Sequence, residues 1–188
     1  MTTNTPLNQS EIAEVSARLK RPIVLIGLMG VGKSTVGRRL ASMLKREFVD
    51  ADEEIEKAAQ RSIPEIFDEH GEGYFRDGER RVIARLIEEE TGVIATGGGA
   101  FVDDETRALI LERAIGVWID CDIDTLVERT SRRNTRPLLR GGDPKTILTD
   151  LMNARREFYA SAPIRVESQD GPHADTAHAI IKAIDEWL

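Results

Sequence analysis

Ile23-Val24-Leu25-Ile26-Gly27-Leu28-Met29-Gly30-Val31-Gly32-Lys33-Ser34-Thr35 is the stretch whose reading decides the fold. An apolar run of strand length leads into the spacing Gly-x-x-x-x-Gly-Lys-Ser, and a helix-forming segment follows to residue 45. Strand, glycine-rich loop and helix in that order are the context in which such a loop grips phosphate. Successive backbone N–H groups point inward, Gly27, Gly30 and Gly32 leave room for close approach, and the helix N-terminus adds a favourable dipole. Gly30, Val31, Gly32, Lys33, Ser34 and Thr35 are therefore the candidate contacts to a nucleotide polyphosphate. Lys33 is placed to reach the β and γ phosphates, and the Ser34 hydroxyl to ligate a magnesium ion. The ligand class is set by this stretch. The acceptor of any transferred group is not.

Outward from it, short apolar runs alternate with amphipathic helical patterns. Runs at 48–49, 93–95, 117–119 and 164–166 join 23–26 as five expected strands. Helical patterns fall at 33–45, 53–60, 64–69, 75–90, 104–113, 123–131, 144–160 and 174–187. Strands spaced by helices in this way predict an α/β chain, a three-layer α/β/α fold around a central five-stranded parallel sheet. In such sheets ligands sit beyond the carboxyl ends of the strands. Ser10, followed by Glu-Ile-Ala-Glu, predicts an N-cap and a helix over about 11–20, with residues 1–8 frayed. The expected division is a partly helical extension over 1–20 and one domain over 21–188.

The bulk properties narrow the function classes. A net charge of −7 over 188 residues argues against a nucleic-acid binder, whose footprint is a basic face. Any anion site must then be a local cluster of Lys and Arg. The single cysteine, Cys121, excludes an intrachain disulfide, fits a reducing cytosol and reads as a small apolar filler near a strand end. The N-terminus has no apolar leader and the longest apolar runs are strand-sized. A cytoplasmic protein with no membrane partner is the expectation, and nothing in the sequence asks for more than a monomer.

Each expected strand end carries unusual chemistry. The second reads Phe48-Val49-Asp50-Ala51-Asp52, and alternation along an extended chain puts both carboxylates on one side. Beside a magnesium-nucleotide site, one orients a metal-bound water while the other accepts a proton from, or positions, an attacking hydroxyl. The alternative is that one of them caps the helix starting near Glu53. Arg76, at a helix start after the turn Gly71-Glu72-Gly73, is either a fork for a substrate carboxylate or a solvated charge. The third strand ends in Thr96-Gly97-Gly98-Gly99, more glycine than a turn needs, so a ligand can approach the backbone there. The aperiodic segment 131–144, rich in Arg, Gly and Pro, reads as a mobile lid carrying Arg136 onto the transferring phosphoryl group. Arg129 and Arg155 complete the basic set. His70, His173 and His178 fit no ligand spacing and are expected at the surface or as caps.

As an ordered set, these residues resemble the shikimate kinase family, in the nucleoside-monophosphate-kinase-like group of P-loop proteins, over nearly the whole chain from Ile23. Its marks are the run from Gly27 to Leu40, Asp50-x-Asp52, Ser62-Ile-Pro-Glu-Ile-Phe67, and Gly71-Glu-Gly-Tyr-Phe-Arg76 with Glu79. Thr96-Gly-Gly-Gly99, Asn134-Thr-Arg-Pro-Leu-Leu139, and Arg155 four residues before Tyr159 complete them. The resemblance implies transfer of the ATP γ-phosphate to the 3-hydroxyl of shikimate, with magnesium as cofactor. It implies Asp52 as base and holder of the shikimate hydroxyls, and Arg76, Arg155 and the Gly97, Gly98 and Gly99 backbone as the substrate grip. Lys33 and Arg136 would act on the phosphates, Arg129 would lie against the adenine, Ser34 would ligate magnesium and Asp50 would reach it through water. Three departures stand out. Gln60 replaces the family's usual glycine, the 168–172 loop reads Ser-Gln-Asp-Gly-Pro where an Arg is often found, and residues 1–20 have no counterpart. A gluconate kinase of the same group is the nearest rival. A non-catalytic binding module would show erosion at Lys33, Asp52 or Arg136, and all three are present.

Overall fold

The computed structural model describes residues 5–89, 92–132, 141–168 and 171–188. Five parallel strands lie in the order β2-β3-β1-β4-β5, where β1 is Ile23–Ile26, β2 Phe48–Asp50, β3 Val93–Ala95, β4 Ile115–Asp120 and β5 Ile164–Glu167. The central strands β1, β3 and β4 are buried at every position, as a sheet covered on both faces requires. Edge strand β5 alternates buried and exposed instead. The expected five-stranded α/β/α architecture is what forms, with β2, β4 and β5 each longer than their apolar runs.

The helices are α1 (Gln9–Arg18), α2 (Lys33–Leu44), α3 (Ala51–Ala59), α4 (Ile63–Glu88), α5 (Asp104–Arg113), α6 (Ile123–Ser131), α7 (Pro144–Tyr159) and α8 (His173–Trp187), with a short 3-10 turn over Ala100–Val102. Helix α1 starts two residues before its expected position. Asn8, not Ser10, is the cap: its side chain accepts from the Ser10 and Glu11 N–H groups, and Glu11 reaches back to the Asn8 N–H. The extension is docked on the domain. Ile12, Val15 and Leu19 join the core, Arg46 donates to the Ser16 and Leu19 carbonyls, and Ser16 Oγ donates to the Leu44 carbonyl.

The two helical patterns at 64–69 and 75–90 run together as α4. Ser62 and Glu65 form its capping box, and Gly71, at φ 80° and ψ 177°, is its one non-helical residue. The expected turn at 71–73 is thus a kink, and Arg76 stands more than a turn into the second half. The segment expected to form the lid falls largely on residues 133–140, which, with Arg136, lie outside the described residues; so does Gln169 in the adenine-side loop. Among the described residues, no helix is long and apolar enough to cross a membrane.

Candidate active site

The carboxyl ends of β1, β2 and β3 open on a cleft of about 600 Å³. One wall is the phosphate loop. Gly27, Gly30 and Gly32 hold φ of 148°, 86° and 92°, backbone that only glycine adopts without strain. Gly27 is also locked by volume, since a Cβ there would fall 2.5 Å from the Ile119 carbonyl oxygen. Gly32 caps α2 without a side-chain hydrogen bond, and no acidic residue stands in the first turn. A helix start of this kind favours an anionic ligand. Lys33, almost fully buried, donates to the carbonyls of Gly27 (2.7 Å) and Leu28 (2.9 Å). Gly30, Gly32, Lys33, Ser34 and Thr35 all line the cleft. Val31 is buried beneath it, its carbonyl accepting from Arg129 Nη1 at 3.3 Å. Arg129, on α6, also donates to Ser168 Oγ at 3.3 Å, which ties the underside of the loop to the end of β5.

Asp50 and Asp52 are not brought together by strand alternation. Asp50 ends β2, and Asp52 lies in the first turn of α3. Asp50 Oδ1 accepts from the Asp52 N–H (3.0 Å) and the Glu53 N–H (3.5 Å), so it does cap the helix. Its other oxygen, Oδ2, accepts from Ser34 Oγ at 2.6 Å. The capping alternative is therefore met by one oxygen of this carboxylate, while the other faces the Ser34 hydroxyl. A hydroxyl and a carboxylate in contact at the phosphate end form a set of hard oxygen donors, which suits a magnesium ion that keeps several of its waters. Burial first, then the neighbouring Asp50 charge, raises the Asp52 carboxyl to about 6, against the pull of Lys33 and Arg76.

Across the cleft, Gly97, Gly98 and Gly99 each face one side chain of the opposite set. A Cβ on Gly97 would fall 2.9 Å from Asp52 Oδ1, one on Gly98 would fall 2.9 Å from Arg155 Nη1, and one on Gly99 would collide with the Arg76 guanidinium. Arg76 is held by Glu79, Nη1 to Oε1 at 2.7 Å, with Glu72 3.6 Å away on its other side. Glu79 is 1% exposed, and burial pushes its carboxyl up to about 7 although Arg76 opposes this. Ile63, Pro64, Phe67 and Phe75 supply an apolar wall. The expected residues Lys33, Ser34, Asp50, Asp52, Arg76, Gly97–99 and Arg155 thus meet in one cleft.

Sequence reading missed three participants. Glu79 and Tyr159 were marks of a resemblance without a role, because burial and long-range partners leave no periodic signal. His173 opens α8 half-buried, its Cε1 3.2 Å from where a Cβ on Gly32 would sit, so this helix-end residue also packs against the phosphate loop. Cys121 is buried, as a filler would be.

A phosphate loop at the head of a parallel sheet, facing a carboxylate and two arginines across a small cleft, defines the class as a P-loop phosphotransferase acting on a small anionic acceptor. The family model described as Shikimate kinase matches residues 29–185. A shikimate kinase of Novosphingobium aromaticivorans is 59% identical, covering 97% of this chain and 96% of its own. The chain belongs to the shikimate kinase family. Among solved structures, the Acinetobacter baumannii shikimate kinase in complex with shikimate matches at TM-score 0.84 and 38% identity, over 92% of this chain and 97% of that one. A gluconokinase from Sinorhizobium meliloti matches at TM-score 0.61 and 17% identity, over 90% and 94%, a likeness of fold alone.

Proposed function

We propose that this cleft passes the γ-phosphoryl group of ATP to the 3-hydroxyl of shikimate, with the donor on the phosphate-loop wall and the acceptor on the glycine wall. The chain is an ATP-dependent shikimate kinase, and its products are shikimate 3-phosphate and ADP, on the route to chorismate and the aromatic amino acids. The observation that carries the assignment of roles is the seating of Asp52, Arg155 and Arg76 on Gly97, Gly98 and Gly99, opposite Lys33. A carboxylated polyol ring fits that wall: the arginines take its carboxylate, the Gly97–99 backbone and Asp52 take its hydroxyls, and Phe67 and Ile63 cover its apolar face.

Asp52 accepts the proton of the attacking hydroxyl. A carboxyl raised to about 6 is a stronger base than an ordinary aspartate, yet is ionised at neutral pH. As that proton leaves, the hydroxyl oxygen bonds to the γ-phosphorus and the bond to the β-γ bridging oxygen breaks, releasing ADP. Lys33, now on the Gly27 and Leu28 carbonyls, turns to the β and γ phosphates, and the N–H groups from Gly30 to Thr35 wrap them. Ser34 would hold magnesium directly and Asp50 through water; the ion supplies charge neutralisation on the phosphate oxygens. Arg136 is assigned to the lid and the transferring group, and Arg129 to the adenine side. The working setting is a cytoplasmic monomer with ATP and shikimate as its partners.

The test is a coupled ADP-release assay with shikimate and gluconate as alternative acceptors. Turnover with shikimate is expected; release with gluconate and none with shikimate would overturn the reading.

A further inference from the structure

Tyr159 ends α7 and is fully buried, yet its hydroxyl reaches the acceptor wall. It donates to the Gly98 carbonyl, and the Arg155 guanidinium stands close enough to pull the phenol down against the effect of its burial. Arg155 lies one helical turn earlier on α7, and its Nη1 takes the space beside Gly98 that a Cβ would fill. The Tyr159 ring is fixed behind the wall by Trp118 of β4, centroids 5.9 Å apart. One hydroxyl therefore grips the middle glycine of the turn, next to the arginine seated on that glycine. Tyr159 itself is not among the side chains that line the cleft.

We propose that Tyr159 is a positioning residue for the acceptor: its hydroxyl sets the Gly97–Gly99 turn and Arg155 as one unit, so shikimate affinity depends on a group that does not touch shikimate. This rests on the reading of Arg155 and Gly98 as acceptor-side residues. The hydroxyl suits the task, because its hydrogen is used on the Gly98 carbonyl and its oxygen faces the arginine seated on that glycine. Burial raises the phenol further above its ordinary range, which keeps it protonated as a donor throughout the working pH range.

The test is Tyr159→Phe, which keeps the ring and its packing on Trp118 and removes only the hydroxyl. The KM for shikimate is expected to rise about 3- to 10-fold, the fold-change that matches loss of one hydrogen bond, while the KM for ATP stays within about twofold. Equal changes in both constants, or no change in either, would overturn the inference and leave Tyr159 a packing residue. A second measurement does not depend on the variant folding. The chain has two tyrosines, 74 and 159, so 3-fluorotyrosine labelling gives two fluorine resonances, assigned with Tyr74→Phe. Shikimate is expected to shift the Tyr159 resonance and ADP alone to leave it in place; a Tyr159 resonance unmoved by shikimate sinks the inference. A wild-type enzyme that does not turn over shikimate would instead overturn the functional reading, so the two failures are distinct.

Discussion

The Arg76 guanidinium fills the space that a Cβ on Gly99 would need. The residues at 97–99 all lie outside the positive-φ region, so their backbone does not call for glycine. What calls for it is volume: each glycine is the floor on which a site side chain rests. Gly99→Ala is therefore expected to push Arg76 out of its seat while the fold survives, since the displaced atoms end a flexible side chain. Overpacking of this kind costs about 1–3 kcal/mol, and the loss should appear as a rise of about tenfold in shikimate KM with ATP KM unchanged. Steady-state kinetics with each substrate varied will show it. An unchanged shikimate KM would mean that Arg76 has a second productive seat.

Asp52→Asn keeps the shape and removes the proposed base. Turnover is expected to fall by about 10²-fold or more, with ATP affinity by calorimetry nearly unchanged. Equal losses in both would remove Asp52 from the chemical step.

In the wild type, the proton on Asp52 sets an acid limb. With its carboxyl raised to about 6, kcat/KM for shikimate, which reports the free enzyme, should fall about tenfold per pH unit below 6. A profile flat to pH 5 would mean that Asp52 need not be ionised.

The same raised carboxyl has a stability consequence of opposite sense from that of an ion-paired aspartate, whose value is lowered. Because its folded value lies above the ordinary 3.8, the native state holds the proton more tightly than the unfolded chain. Stability from this group is full below about pH 4 and falls as pH rises through 6. Asp52→Asn lifts that cost, so the ligand-free variant should be more stable at pH 7.5 by about 1–3 kcal/mol, allowing for solvent screening. Thermal melts at pH 7.5 and pH 4 test this: the gain should vanish at the lower pH. A gain of this size would mean that Asp52 is held at the expense of stability, a common exchange at active sites.

Much of this was legible in the chain. The phosphate loop declared itself because its chemistry is local: a strand, three glycines, Lys33 and Ser34 within one turn. The parallel sheet was legible in the uninterrupted apolar runs of β1 and β3. The acceptor wall was harder to read. Asp52, Arg76 and Arg155 come from three helices, and only the ordered resemblance gathered them before the fold did. Nothing local marks Tyr159 as the partner of Gly98, 61 residues away, or Glu79 as a buried acid. The alternation argument for Asp50 and Asp52 failed because the strand ends at Asp50 and a helix geometry takes over at the next residue.

Gln60 closes α3 at φ 52° and ψ 36°, in the left-handed region. The departure from the family's usual glycine thus falls where a side chain is strained, since Cβ crowds the following carbonyl at a cost of about 1–2 kcal/mol. Glycine at such a helix end removes that crowding but adds freedom to the unfolded chain, which opposes part of the gain. Gln60→Gly is expected to stabilise the protein by about 0.5–1 kcal/mol, a rise in Tm of about 1–4 °C for a chain of this length. The helix that Gln60 ends carries Asp52 at its other end, and its cap on Asp50 Oδ1 is untouched by the change. The kinetic constants for shikimate and ATP should therefore stay as they are while the melt moves up. A lower Tm would mean that the Gln60 side chain makes a contact worth more than the strain it carries.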